Sequence, residues 1–216
     1  MKHKLIFLGS PGAGKGTMAQ RLAVHMGIPH ISTGDIFREN IKNETPLGNE
    51  VKSILSSGAL VPDALTIALV ADRLGREDAH HGYILDGFPR TLAQADALAT
   101  ISTIDQAINF VVPQTVIIAR LSGRLVCPHC NASFHKNDFP PQKEGICDHC
   151  GHALIVRKDD QPEAIKHRLT VYASETQPLI EYYKNKQLLT DLDSSQDMDK
   201  VFDDLLTLLA HTGDNR

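Results

Sequence analysis

The chain has 216 residues, 42% of them hydrophobic and 22% charged, with a formal net charge of −4. That length suffices for one well-buried core carrying small insertions. The slightly acidic balance argues against a general binder of nucleic acid or membrane surfaces, so any anion site must be built from locally placed Arg and Lys. The N-terminus, Met1 to Leu8, has the outline of a short signal peptide. Its apolar part is only Leu5-Ile6-Phe7-Leu8, however, and it runs straight into Gly9-Ser10-Pro11-Gly12. A buried strand from Lys4 to Gly9 is therefore expected, and with it a cytoplasmic location. No run approaches the ~18 apolar residues of a membrane span.

Lys15 to Met26 reads as a helix, stopped by Gly27 with Pro29 beyond, and Ile28 to Ser32 as a short strand. Leu47, Val51, Ile54 and Leu55 keep helical spacing up to Gly58. A further helix is expected from Asp63, as its N-cap, to Gly75. Tyr83 to Leu85 reads as a strand, followed by a turn and a helix from Thr91. Ile108 to Val112 is a strand closed by Pro113, and Thr115 to Leu121 a helix. From Arg124 to Arg157 the periodicity fails amid Cys pairs, Pro128, Pro140-Pro141, Gly145 and Gly151, so this is a small inserted unit. One long helix is expected from Gln161 to about Tyr183, then a strand over Leu188 to Leu192 and a helix from Met198 to Ala210. Alternation of this kind predicts an α/β fold with a parallel sheet covered on both faces.

Gly9-Ser10-Pro11-Gly12-Ala13-Gly14-Lys15-Gly16-Thr17 follows the first strand and opens the first helix. The glycines let the backbone curl so that successive N–H groups point inward. The helix N-terminus adds partial positive charge and Lys15 a full one, which together make a cradle for a polyphosphate. Gly16 stands where most such loops place the Ser/Thr that holds Mg²⁺, and Thr17 comes one residue late. Phosphates and water are then expected to hold the metal, with Asp86 either an outer-shell anchor or merely a turn carboxylate.

All four cysteines lie in Cys127-Pro128-His129-Cys130 and Cys147-Asp148-His149-Cys150, with sixteen residues between the pairs. This spacing suits a tetrahedral, structural Zn²⁺ with no open position. His129, His135, His149 and His152 are competing ligands nearby. Between Arg124 and Arg157 there are four Lys/Arg against three Asp/Glu, too little basic excess for a surface that tracks nucleic acid.

Taken in order, the Gly9–Thr17 loop, Ser32-Thr33-Gly34-Asp35 with Arg38, Leu85-Asp86-Gly87-Phe88-Pro89-Arg90 with Gln94, Arg120-Leu121-Ser122-Gly123-Arg124, the Cys unit, Arg157-Lys158-Asp159-Asp160 and Arg168 resemble the adenylate kinases, in their long form with a zinc-bearing lid. The resemblance covers essentially the whole chain. It implies a three-layer P-loop fold with a five-stranded parallel sheet. The core would span residues 1–31, 62–123 and 158–216, with an AMP flap over 32–61 and a zinc lid over 124–157. It implies a cytoplasmic monomer that interconverts ATP and AMP with two ADP using Mg²⁺, with no nucleic-acid or membrane partner.

By the same resemblance, Gly12, Ala13, Gly14, Lys15, Gly16 and Thr17 would hold ATP phosphates. Arg120 would lie on the ATP adenine, and Arg124, Ser133 and Phe134 would reach ATP from the lid. Thr33 and Gln94 would face the AMP base, while Arg38 and Arg90 would grip its phosphate. Ala59, Leu60 and Val61, with Gly87, Phe88 and Pro89, would line the AMP pocket. Arg157 and Arg168 would reach the phosphates between the nucleotides. The catalytic set is then Lys15, Arg90, Arg124, Arg157 and Arg168.

Some of these residues have another reading. Thr91-x-x-Gln94 is also a capping box, and Asp160-x-x-Glu163 is also a helix start. Two positions depart from the family pattern: Gln196 replaces a Lys whose backbone approaches the ATP base, and Ala119 replaces the acidic neighbour of Arg120. A kinase for UMP or CMP, and a P-loop module that uses a zinc ribbon on nucleic acid, are the alternatives.

Overall fold

The computed structural model of the chain describes residues 3–211. Its strands are β1 (Lys4–Leu8), β2 (His30–Ser32), β3 (Tyr83–Asp86), β4 (Gln106–Val111), β5 (Arg124–Val126), β6 (Ser133–His135) and β7 (Leu189–Asp193). Five of them form one sheet in the order β2-β3-β1-β4-β7, with every neighbouring pair parallel. The short β5 and β6 pair antiparallel, away from that sheet.

The helices are α1 (Lys15–Met26), α2 (Thr33–Lys42), α3 (Pro46–Ser57), α4 (Asp63–Leu74), α5 (Leu92–Ile101), α6 (Gln114–Ser122), α7 (Pro162–Val171), α8 (Pro178–Asn185) and α9 (Met198–His211). Alternation along β1 turns Leu5 and Phe7 to one face and Ile6 and Leu8 to the other. The first face packs on Met18 and Leu22 of α1 and on Val201 and Leu205 of α9. The second packs on Val70 of α4, Leu98 of α5 and Leu179 and Tyr183 of α8. Each such buried side chain contributes about 1.5–3 kcal/mol relative to exposure, so the central sheet is the rigid base of the molecule.

Two small apolar clusters stand off this base. Phe37 of α2 and Val51 of α3 pack with Val61. Cys127, Ala132, Phe134 and Cys147 form the other, around the β5–β6 pair.

Three elements differ from the sequence expectations. Helix α2 was not expected from the pattern, although Ser32-x-x-Asp35 is a start signal and the Ser32 hydroxyl accepts the Asp35 N–H at 3.2 Å. Asp63 is not the N-cap of α4. Pro62 takes that position, and Asp63 begins the helix with its carboxylate directed at Thr91 and Gln94. The long helix of residues 161–183 is broken by a π turn over Tyr172–Thr176. Pro178 has no N–H to continue the ladder; Gln177 closes the turn instead, donating to the Tyr172 carbonyl at 2.8 Å.

Candidate functional site

The glycine loop leaves the C-terminal end of β1, the central strand, and enters α1 at Lys15. Gly12 and Gly14 have φ of 82° and 89°, the left-handed region that a curled loop of inward N–H groups requires. The Lys15 ammonium donates to the carbonyls of Gly9 and Ser10 at 2.7 and 2.9 Å. Asp86 lies beside this loop because β3 pairs with β1 in a register that places it opposite Phe7. Its Oδ2 is 3.3 Å from where a Gly16 Cβ would stand. A Cβ at position 16 would therefore press on that carboxylate by a few tenths of an ångström.

The loop forms one wall of a cleft of about 660 Å³. Lys15, Arg38, Arg90, Arg124, Arg157 and Arg168 all line it, contributed by separate segments of the chain. Burial, and then repulsion from the other guanidiniums, lowers Lys15 to about 8 even with Asp86 close by. Burial and Arg168 lower Arg90 to about 10, and burial with Arg38 and Arg124 lowers Arg157 to about 9. The Arg157 Nε is buried and finds no hydrogen-bond partner among the described residues. Burial works against the Asp86 carboxylate, but His30 and Lys15 outweigh it and hold it at about 2.

Asp160 is not a helix cap. Gln161 holds that position, and the Asp160 side chain is fully buried between two arginines. It receives Arg124 through two bonds of 2.7 and 2.6 Å and Arg168 at 2.9 Å. Asp159 adds an ion pair to Arg168 at 3.1 Å. The pair therefore aims two guanidinium forks into the cleft. The run Arg157-Lys158-Asp159-Asp160 was one of the motifs carrying the family resemblance, but the sequence reading gave the two carboxylates no role beyond the alternative of a helix start.

Gly12, Ala13, Gly14, Gly16, Thr17, Arg120, Ser133, Phe134 and Gln196 also line this cleft. Arg120 donates to the Ser194 carbonyl at 2.8 Å, so a backbone acceptor stands in for the carboxylate that Ala119 lacks. The Ser194 hydroxyl in turn donates to the Ala13 carbonyl at 2.7 Å, tying the end of β7 to the phosphate loop. Nothing in the sequence singled out Ser194. Gln196 bonds Asp193 at 3.3 Å, leaving its backbone at the cleft wall.

Thr33, Val61 and Gln94 line a narrow recess that shares Gly34, Ala59, Leu60, Gly87 and Arg90 with the main cleft. Pro89 lines the main cleft, whereas the Phe88 ring is fully buried in the core beneath. Gln94 does not complete a capping box. Thr91 accepts the Gln94 N–H as expected, but the Gln94 carbonyl takes the Arg90 N–H at 2.8 Å rather than that of Thr91.

The four cysteine sulfurs lie within 4.8 Å of one another. Neighbouring Sγ–Sγ distances of 3.4, 3.5 and 3.4 Å are far beyond a disulfide and close to the roughly 3.8 Å edge of a zinc tetrathiolate with ~2.3 Å bonds. The two knuckles share one construction. Cys127 and Cys147 each accept an N–H from the residue after the second Cys, and those residues, Asn131 and Gly151, have φ of 60° and 73°. Burial disfavours the Cys127 thiolate, but backbone N–H groups of Cys130 and His129 hold it at about 6. Burial and its neighbours push Cys130 up to about 12. A divalent cation at the centre would deprotonate all four thiols and remove that disparity. His129 and His152 also approach Cys150 closely enough to compete as ligands.

The adenylate kinase family model matches residues 7–188. The chain is 52% identical to an adenylate kinase of Clostridium tetani over 211 residues, which cover 95% of this chain and 98% of that protein. It is 52% identical over 212 residues to one of Lachnospira eligens, covering 96% and 100%. It is 55% identical over 196 residues to one of Treponema denticola, covering 91% and 94%.

Proposed function

The chain belongs to the adenylate kinase family, and we infer that its cleft transfers a phosphoryl group reversibly between ATP and AMP, giving two ADP. The observation that carries this reading is the half-buried cluster of Lys15, Arg90, Arg124, Arg157 and Arg168 around one cleft, in excess of the carboxylates Asp86, Asp159 and Asp160 beside it and with the Arg157 Nε unpartnered among the described residues. Such a set is costly unless polyanions neutralise it. Two facing phosphate chains supply that charge.

The chemistry follows from position and charge. Phosphoryl transfer through a loose transition state leaves negative charge on the equatorial oxygens, so fixed cations in a dry site lower the barrier. Lys15 and the loop N–H groups would hold the donor phosphates. Arg38 and Arg90 would hold the acceptor phosphate, and Arg124, Arg157 and Arg168 the oxygens between them. No general base is needed, because a phosphate monoester with a second pKa near ~6 is largely ionised at neutral pH. Mg²⁺ would neutralise the transferring phosphates. Asp86, kept ionised down to about 2 and facing the loop, fits an anchor for the water shell of that ion.

The four thiols fit a structural Zn²⁺ that stiffens residues 124–157 as a lid, with residues 32–61 as the opposing flap. The two units meet where the Lys42 ammonium donates to the Pro128 carbonyl at 3.1 Å, a contact that supports closure of both over the reacting groups. The monomeric state is proposed on the family resemblance alone, and thiols reserved for a metal suit the reducing cytoplasm. A coupled assay of ADP formation tests the reaction: ATP consumption should require AMP, and AMP-independent consumption contradicts the reading.

A further inference from the structure

The recess beside the main cleft contains a side-chain amide whose orientation is dictated from both ends. Gln94 is 1% exposed. Its Nε2 donates to the Asp63 Oδ1 at 2.7 Å, and its Oε1 accepts the Arg90 backbone N–H at 2.8 Å. A carboxylate accepts and a peptide N–H donates, so an amide flip would break both bonds at once. Asp63 is itself held, because its Oδ2 accepts the Thr91 hydroxyl at 2.9 Å. After these bonds the amide keeps one N–H and one lone pair. Thr33 also lines the recess, and its hydroxyl hydrogen is committed to the Gly87 carbonyl at 2.8 Å, so it offers lone pairs only.

What the lock fixes for a base is therefore the order of these groups, with the free N–H on the Asp63 side of the amide and the free lone pair on the Arg90 side. A 6-aminopurine presents the complement, an exocyclic N–H beside an unprotonated ring nitrogen. A 6-oxopurine presents the reverse, a carbonyl beside a ring N–H. We propose that Asp63, which the functional reading leaves unassigned, is a specificity-determining positioning residue: by locking the Gln94 amide it makes the monophosphate site select a 6-aminopurine over a 6-oxopurine. This rests on the assignment of the recess to the base of the acceptor nucleotide.

The test compares AMP with inosine monophosphate, which differ in the atoms of that edge, using the wild-type protein, Asp63→Asn and Asp63→Ala. Asparagine can donate as well as accept, so it withdraws the Asp63 half of the lock and leaves the Arg90 N–H as the remaining constraint; alanine removes that half altogether and covers the case in which the asparagine variant fails to fold. The ratio of kcat/KM for AMP over inosine monophosphate should fall about tenfold or more. The fall should come mainly through the monophosphate KM, with the KM for ATP unchanged, a split that general loosening would not give. An unchanged ratio in a folded variant overturns the proposal. Calorimetric binding of the two monophosphates reads the same preference without turnover. If the wild-type protein does not consume ATP with AMP, the proposed reaction fails, and the binding preference still decides the role of Asp63.

Discussion

The units on the two sides of the cleft owe their shape to different physics. Residues 32–61 fold as two helices around Phe37, Val51 and Val61, an ordinary apolar cluster. Residues 124–157 have little regular structure beyond β5 and β6, and their buried cluster is half cysteine: Cys127, Ala132, Phe134 and Cys147. With so few apolar side chains, this unit gains less from burial against its chain entropy than the flap does. On the proposed reading its order draws on a metal held by the four thiols, worth ~10–16 kcal/mol of apparent binding free energy in small zinc units. Two units with the same task can thus be disabled separately, one through its core and the other through its ligands.

The largest effect should come where the comparison is sharpest, at a cation the metal-dependent side delivers into the cleft. Arg157→Ala should lower kcat by about 10³-fold, the scale of a phosphate-clamping arginine. It should not lower the melting temperature of the nucleotide-free protein, because a half-buried charge whose Nε has no partner among the described residues is removed. A destabilised but active variant would show that Arg157 is structural.

Metal loss comes next. Chelation, or Cys127→Ser, should speed amide exchange across residues 124–157 by about 100-fold while residues 32–61 stay protected. Equal loss of protection in both units would break the distinction between them.

The reciprocal change is Gly48→Ala. A Cβ there would stand 2.1 Å from the Asn40 carbonyl, so α2 and α3 must separate. Overpacking of this kind costs about 1–3 kcal/mol. The KM for AMP should rise about tenfold with bound zinc unchanged; a normal KM would show that the helix crossing does not shape the site.

The smallest effect is a proton count common to both sides. Because burial lowers Lys15 to about 8, the folded state holds fewer protons than the unfolded state between about 8 and the ordinary lysine value of 10.5. Stability of the nucleotide-free protein should therefore gain from Lys15 as pH rises through that window, not lose. Phosphate binding raises the pKa again, so calorimetry at pH 8 in several buffers should show uptake of about half a proton that Lys15→Met lacks. Equal uptake in both proteins would contradict the assignment.

Much of this was legible in the chain because local signals agreed with the tertiary result. The strand before Gly9 and the helix after Lys15 fix the phosphate loop, and the two Cys-x-x-Cys pairs fix the metal unit. What stayed hidden were bonds between distant segments. Asp63 reaches Thr91 and Gln94, Asp160 reaches Arg124, and Ser194 reaches Ala13. For Asp63 and Asp160 a local reading as a cap was available, and only the packing of distant segments, with α4 against α5 and α7 against α3 and α6, decides against it; Ser194 carried no local signal at all. The break in the long helix had a local cause in Pro178, outweighed in the pattern by the apolar residues that flank it.

The most direct test of the charge account is a crystal structure with a bisubstrate dinucleoside polyphosphate in the cleft. The expected result is a phosphate oxygen within hydrogen-bond distance of the Arg157 Nε, with Lys15 released from the Gly9 and Ser10 carbonyls onto the donor phosphates. A bound ligand with Arg157 and Arg168 turned out into solvent would contradict it.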